Sequence, residues 1–350
     1  MIPQHVSTAA DPFDRGKELG AAFREPLRNG FEGYQRLFAE HGAAEPQVRE
    51  WGAAALDAAR GWAPDLAAEM DGFAEGSGLA PWQVGALNGR TEVLAAVRAG
   101  GEGECSTAVV RSGGAPVTVQ TWDWLDWLRA GMLLWTIEGP DGPVRTFTEV
   151  GIVGKIGVSG HGVGVHFNVL RHATDSADIG VPVHVVARRI LDEARSTADA
   201  VALARSARLS ASTVLTVVTA DDAVVLELSP AGVGVVHPDA AGTLLHTNHF
   251  LDAALAPGER TLAHESTSYD RLDQLRALAG ALGVEDHSAR AHLLRSHGSG
   301  AVCAHADPAQ PLVDRWESLA TIALDVTNGR LHAHTGGPCR VTADTWQTLG

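Results

Sequence analysis

A succession of short β-branched runs across residues 106–229 constrains this fold more than any other feature of the chain. "STAVVR", "PVTVQTW", "LLWTIEG", "VRTFTEV", "GVGVHFNVL", "VLTVVTA" and "AVVLELS" are parted by Gly, Pro or Asp, the pattern of strands joined by turns. A last pair, "LATIALDV" and "RLHAHT", meets at "TNGR", where Asn-Gly signals a hairpin. Residues 11 to about 98 read differently. Leu19, Phe23, Leu27, Phe31 and Tyr34 recur at helical spacing, with a break or kink expected at Pro26. "EPQVREWGAAALDAARGW" and "APWQVGALNGRTEVLAAV" carry the same period, and helices return at "VHVVARRILDEARSTADAVALARSA", "SYDRLDQLRALAGAL" and "HSARAHLLRSH". Blocks of strands alternating with blocks of helices predict an α+β architecture in which helices cover antiparallel sheets. The Gly-rich "RAGGEGE" divides a helical leader, residues 1–104, from a β-rich body, residues 105–350.

Composition narrows the function. The 350 residues are 45% hydrophobic and carry a net charge of −15. That balance suits a globular, soluble chain and argues against unassisted binding to nucleic acid or an anionic membrane surface. No apolar run approaches the length of a membrane span. "MIPQHVSTAADPFDRGKELG" shows neither a basic start nor an apolar stretch, so no signal peptide is expected. The sparse set of Cys105, Cys303 and Cys339 is then expected as reduced thiols in the cytoplasm. Nothing resembles a CxxC pair, so zinc held by cysteines alone is not expected, and neither is a cofactor.

Cys105 stands where the glycine-rich loop hands over to a strand, in "AGGEGECSTAVV". A thiol attacks as thiolate and needs a base or a cationic neighbour. Cutting the Glu104–Cys105 bond would supply one, an α-amine on the same residue. A buried, inert cysteine at a strand start is the plainer alternative. Asp123 follows in "VQTWDWLDW", placed so that a hairpin would return it beside Cys105, with Trp122 and Trp124 on the opposite strand face.

"GECSTAVV…VQTWDW", "GIVGKIGVSGHGVGVHFNVL", "LLHTNHFL", "STSYDRL", "AVCAHAD" and "SLATIALDVTNGRLHAHTGGPC" occur in that order. Together they resemble the peptidase C45 family, of the acyl-CoA:6-aminopenicillanate acyltransferase type. The resemblance implies an N-terminal nucleophile hydrolase, a four-layer αββα sandwich made as a precursor that cleaves itself before the catalytic cysteine. Residues 1–104 would become an α chain and 105–350 a β chain that stays associated with it. Carried over, Cys105 is both cleavage point and nucleophile, Asp123 orients the new amino terminus, and Asn248 of "HTNHF" serves the oxyanion. An arginine falls near Arg315, with Arg271 of "STSYDRL" as another candidate. Asn168 and Ser159 are candidate lining residues; Ser159 and Glu104 depart from the family pattern, which has asparagine and glycine there. The substrate class implied is an acyl amide or an acyl thioester such as an acyl-CoA. Trp122, Trp124, Trp127 and Trp135 offer either an acyl pocket or ordinary core.

Two other readings stay open. The chain has 16 histidines, and the pairs His332/His334 and His246/His249 allow a metal-dependent hydrolase, although no complete ligand motif is present. An uncleaved binding protein on the same fold is the third.

Overall fold

The computed structural model describes residues 1–98, 105–111, 114–264, 266–298 and 300–350. The leader opens with a strand that its sequence did not announce, β1 (Gln4–Ser7), and continues through α1 (Pro12–Ala22), α2 (Arg24–Glu40), α3 (Glu45–Trp62), α4 (Pro64–Ser77), α5 (Pro81–Asn88) and α6 (Arg90–Ala96). Pro12, Pro46, Pro64 and Pro81 sit in the first turns of their helices, where a missing N–H breaks no helical bond. Pro26 obeys the same rule. The break falls at Phe23, leaving the proline in the opening turn of α2 rather than at a kink. α1 lies directly on α4 because both present glycine: a Cβ added at Gly16 would stand 2.0 Å from the Glu69 carbonyl oxygen, and one at Gly72 2.2 Å from that of Phe13.

Eight strands form the larger sheet. In spatial order they are β1, β4 (Met132–Ile137), β5 (Val144–Glu149), β6 (Ile156–Val158), β7 (Gly164–Val169), β8 (Thr213–Val218), β9 (Ala223–Ser229) and β10 (Gly232–Val236). Every neighbour is antiparallel except β1, which runs parallel to β4. The second sheet is antiparallel throughout, in the order β11 (Thr243–His246), β2 (Ser106–Val110), β3 (Val117–Leu125), β12 (Trp316–Asp325), β13 (Arg330–Thr335) and β14 (Trp346–Leu349).

The two sheets face each other. Trp122 of β3 meets Phe147 of β5 edge-on at 5.1 Å, and the Gln120 amide donates to the Phe167 carbonyl of β7 at 2.6 Å. Helices α7 (Val183–Glu193) and α8 (Thr197–Ser206) cover the larger sheet together with the leader. The single helix expected there divides at Ser196, whose hydroxyl caps α8 by accepting from the Asp199 N–H. Helices α9 (Ser268–Leu278) and α10 (His287–Leu293) cover the smaller sheet over a second apolar cluster of Leu275, Leu294, Val302 and Val341. The result is the expected αββα sandwich. Its central strands are buried on both faces, which explains their nearly unbroken apolar runs. Among the described residues, no helix is long and apolar enough to cross a membrane.

One buried carboxylate joins the leader to the helical layer. Glu69 of α4 is fully buried and takes Arg15 Nε at 2.5 Å and Arg188 Nη1 of α7 at 2.9 Å. Removing an anion shared by two buried guanidinium groups leaves their charge uncompensated, at a cost of about 3–5 kcal/mol. Glu69→Gln is therefore expected to lower the unfolding free energy by about that amount. Urea denaturation checks it, and a loss below about 1 kcal/mol would show that the trio contributes no more than a surface ion pair.

Candidate active site

β2 and β3 form the expected hairpin, with Ser106 opposite Thr121. Cys105 precedes β2 and so comes to the same end of the sheet as Asp123. Both are buried. Opposite them the register of β12 shifts between Ser318, which pairs with Asp123, and Ala320, which pairs with Trp122. Such a bulge re-aims side chains where a regular ladder could not. Trp122 and Trp124 stack at 6.3 Å on the face away from Asp123 and pack against Phe147 and Tyr34. Both are core residues. So is Trp135, whose indole donates to Ser7 Oγ, whereas Trp127 is partly buried against the core and its indole donates to the Leu312 carbonyl.

The carbonyl oxygen of Cys105 is held from two sides. Arg271 Nη1 donates to it at 2.8 Å and Asn168 Nδ2 at 3.2 Å. The same Nη1 reaches Ser106 Oγ at 2.8 Å, Nη2 donates to Asn248 Oδ1 at 3.0 Å, and Nε donates to Thr267 Oγ1 at 2.9 Å. Asn248 Nδ2 donates to the Val169 carbonyl at 2.9 Å, and its backbone N–H donates to Ser268 Oγ. Asn168 Oδ1 accepts from Thr107 and from Gln120. Strands β2, β3 and β7, the segment after β11, and α9 thus converge on Cys105.

The electrostatics hold this thiol protonated. Burial pushes Cys105 up to about 12, and the charge of Asp123 adds to it; the Asp123 backbone N–H, Arg271 and Lys155 pull the other way and lose. Lys155 is itself fully buried, ion-paired with Glu149 and 4.2 Å over the Trp122 ring. Burial and the neighbouring Arg90 lower it to about 7 against the pull of Glu149. Burial would raise Glu149, but Lys155 and Arg90 outweigh it and hold the carboxyl below its usual range. Arg90 pairs with Glu149 at 3.2 Å and lies 4.1 Å over Trp124, and Tyr34 donates its hydroxyl to Glu149. The sequence reading missed this cluster. Its one visible signal was Lys155, a lone charge within "GIVGKIGV".

Of the other expected residues, Arg315 pairs with Asp126, and its carbonyl accepts from the Asp126 N–H at 3.0 Å, which braces the end of β3. The guanidinium on Cys105 is that of Arg271. Ser159 accepts from the Val163 N–H in the β6–β7 turn. It lines a separate cleft of about 790 Å³ with Arg188, Arg189 and Asp192, and Cys105 does not border that cleft. Glu104 lies outside the described residues. Of the paired histidines, His246 meets Glu227 at 2.7 Å, His249 Ser268 at 2.8 Å and His332 Thr348 at 2.8 Å, while His334 lies edge-on to Trp346 at 6.1 Å.

A family model described as acyl-coenzyme A:6-aminopenicillanic acid acyl-transferase matches residues 110–336. That range holds Asp123, Asn168, Asn248 and Arg271 and begins just after Cys105. Over 184 residues the chain is 29% identical to an acyl-coenzyme A:6-aminopenicillanic-acid-acyltransferase 40 kDa form of Emericella nidulans, covering 52% of this chain and 51% of that protein. The chain thus spans about half the length of this curated relative. Two solved structures overlay distantly. Penicillin V acylase from Agrobacterium tumefaciens does so with a TM-score of 0.42 and 11% identity, over 66% of this chain and 82% of that one. A conjugated bile acid hydrolase variant from Clostridium perfringens does so with a TM-score of 0.47 and 10% identity, over 70% and 92%.

The network around Asn168 has a pH signature. His166 is buried with Nδ1 against Gln120 Oε1, an acceptor, so the proton sits on Nδ1. Burial lowers His166 to about 3, and it lowers His184 well below 6.5. Both rings are therefore neutral when folded. Above about pH 6.5 the unfolded chain is neutral there too, and nothing is lost; below it the unfolded chain takes up protons that the folded chain refuses. Stability is expected to fall with acid by about 1.4 kcal/mol per pH unit for each such ring. Denaturation of His166→Gln between about pH 6 and pH 4 should show a slope smaller by that one proton. An unchanged slope would mean that His166 charges freely in the fold.

Proposed function

This chain belongs to the acyl-coenzyme A:6-aminopenicillanic acid acyl-transferase family, and on that footing we propose that it is a self-processing acyltransferase or amidohydrolase of the N-terminal nucleophile type, with Cys105 as nucleophile. One observation carries the reading. The Cys105 carbonyl is clamped by Arg271 and Asn168 while its thiol lies against Asp123. A cut on the amino side of Cys105 would free an α-amine and leave the Cα anchored.

The cut has a physical purpose. With the chain intact and its thiol near 12, thiolate at neutral pH is on the order of one molecule in 10⁵. A freed α-amine titrates at about 8 and accepts the thiol proton directly. The resulting ammonium stands beside the Asp123 carboxylate and lowers the cost of the adjacent thiolate. The sulfur then attacks the acyl carbonyl carbon. One of the two Nδ2 hydrogens of Asn248 is taken by Val169, and the other donates to the developing oxyanion, for about 3 kcal/mol. Arg271, bonded to Asn248 Oδ1, aims that amide. On collapse the carbon–nitrogen bond of an amide, or the carbon–sulfur bond of an acyl thioester, breaks and the leaving group takes the proton from the ammonium. Water or an acceptor amine next adds to the Cys105 thioester, gives its proton to the α-amine, and releases acid or amide with the thiol restored. The cycle needs no cofactor. The leader stays with the body because β1 pairs with β4 and Leu19, Leu27 and Phe31 are buried.

Purified protein is expected as two tightly associated chains, the larger beginning at Cys105, by intact mass and N-terminal sequencing. Cys105→Ala should remain one chain and be inactive on acyl substrates. A single chain that turns over an acyl amide or thioester at full rate would overturn the proposal. In chains that have processed, Asn248→Ala is expected to lower kcat by about 10²–10³ with little change in KM. An effect confined to KM would assign Asn248 to substrate binding instead.

A further inference from the structure

We propose that His297, Cys303, His305 and Cys339 form a closed four-ligand zinc site that pins the loop before β12 to the turn after β13. Their donor atoms all lie within 4.8 Å of one another, the one such histidine–cysteine–carboxylate group among the described residues. His305 Nε2 stands 3.5 Å from Cys303 Sγ, 3.4 Å from Cys339 Sγ and 3.1 Å from His297 Nε2. A zinc tetrahedron with Zn–S of about 2.3 Å and Zn–N of about 2.0–2.1 Å has sulfur–nitrogen edges of about 3.6 Å and nitrogen–nitrogen edges of about 3.4 Å. The three separations at His305 already approximate those edges. Cys303 and Cys339 are free thiols rather than a disulfide, and the two imidazoles, 72° apart in plane at 4.8 Å, meet at their Nε2 atoms, with that of His305 also facing both sulfurs.

Two thiolates and two neutral imidazoles are the donor set that selects zinc. Binding releases the two thiol protons to solvent and leaves a centre with no net charge. With four protein ligands no position is open for water, so the metal holds structure and takes no part in acyl chemistry. What it would hold is clear from the packing. The Ala304 backbone pairs with Ser318 in both directions at 3.0 Å, a Cβ at Gly337 would stand 2.7 Å from Cys303 Sγ, and Ser318 is the residue opposite Asp123. The ion would fasten the loop that backs the β12 bulge behind Asp123.

Full-length protein, expressed with zinc and without a histidine tag, should carry about one zinc per chain by elemental mass spectrometry. Cys339→Ser and His305→Ala should each lower that content at least tenfold, whereas Cys105→Ala should keep it. A metal-free sample titrated with Co²⁺ should develop the visible bands of a tetrahedral thiolate complex, lost on adding Zn²⁺; this arm needs no variant to fold. Zinc content unchanged in Cys339→Ser, absence of both zinc and cobalt bands in the wild-type chain, or a native Cys303–Cys339 disulfide would each overturn the site.

Discussion

The arrangement around Cys105 depends on one guanidinium. Arg271, buried on α9, binds the carbonyl of Cys105, the hydroxyl of Ser106 and the amide oxygen of Asn248. Asn248 lies far along the chain from Cys105 and Ser106, and only a planar cation with several fixed donors can orient all of them at once. A lysine would supply the charge and lose the geometry. The Cys105 carbonyl is thus fixed from this side and by Asn168, while its buried thiol lies beside Asp123.

Buried charge is used twice more, each time as one carboxylate shared by two cations. Glu69 holds Arg15 and Arg188, and Glu149 holds Lys155 and Arg90. A buried ion pair adds little net stability over apolar packing, but removing either partner leaves an uncompensated buried charge. Glu69 fixes α1 and α4 to α7. Glu149 receives the Tyr34 hydroxyl of α2 and places Lys155 close enough to bias the Cys105 thiol. The helical leader is thereby tied to the larger sheet, which packs against the strands that carry Cys105 and Asp123.

Much of this was legible beforehand because it follows from local rules. Alternation along "QTWDWL" put the two tryptophans on one face and Asp123 on the other, and the ring stacking agrees. Asn-Gly located the β12–β13 turn, where Gly329 takes a left-handed conformation at φ +63 and Asn328 is tied to Asp325. The misses share a cause. β1 is a short strand with no apolar alternation, made stable by parallel pairing with a strand more than a hundred residues away. Arg315 and Arg271 could not be ranked because an arginine's partner is decided by what the fold sets opposite it. The four donors at His297, Cys303, His305 and Cys339 escaped for the same reason, since Cys339 arrives from beyond the β12–β13 hairpin.

Sequence by itself determined the layers: helical and strand periodicities are written within a few residues, and burial then forces helices over sheets. It also marked Cys105, through the abrupt passage from a glycine-rich loop into a strand. Tertiary structure alone decided which charged and hydrogen-bonding groups meet: Asn168 and Arg271 on one carbonyl, Lys155 on Glu149, Arg315 on Asp126. The reason is range. Periodicity is a property of neighbouring residues, whereas a guanidinium or a carboxylate acts on whatever lies within about 4 Å, and chain separation says nothing about that distance.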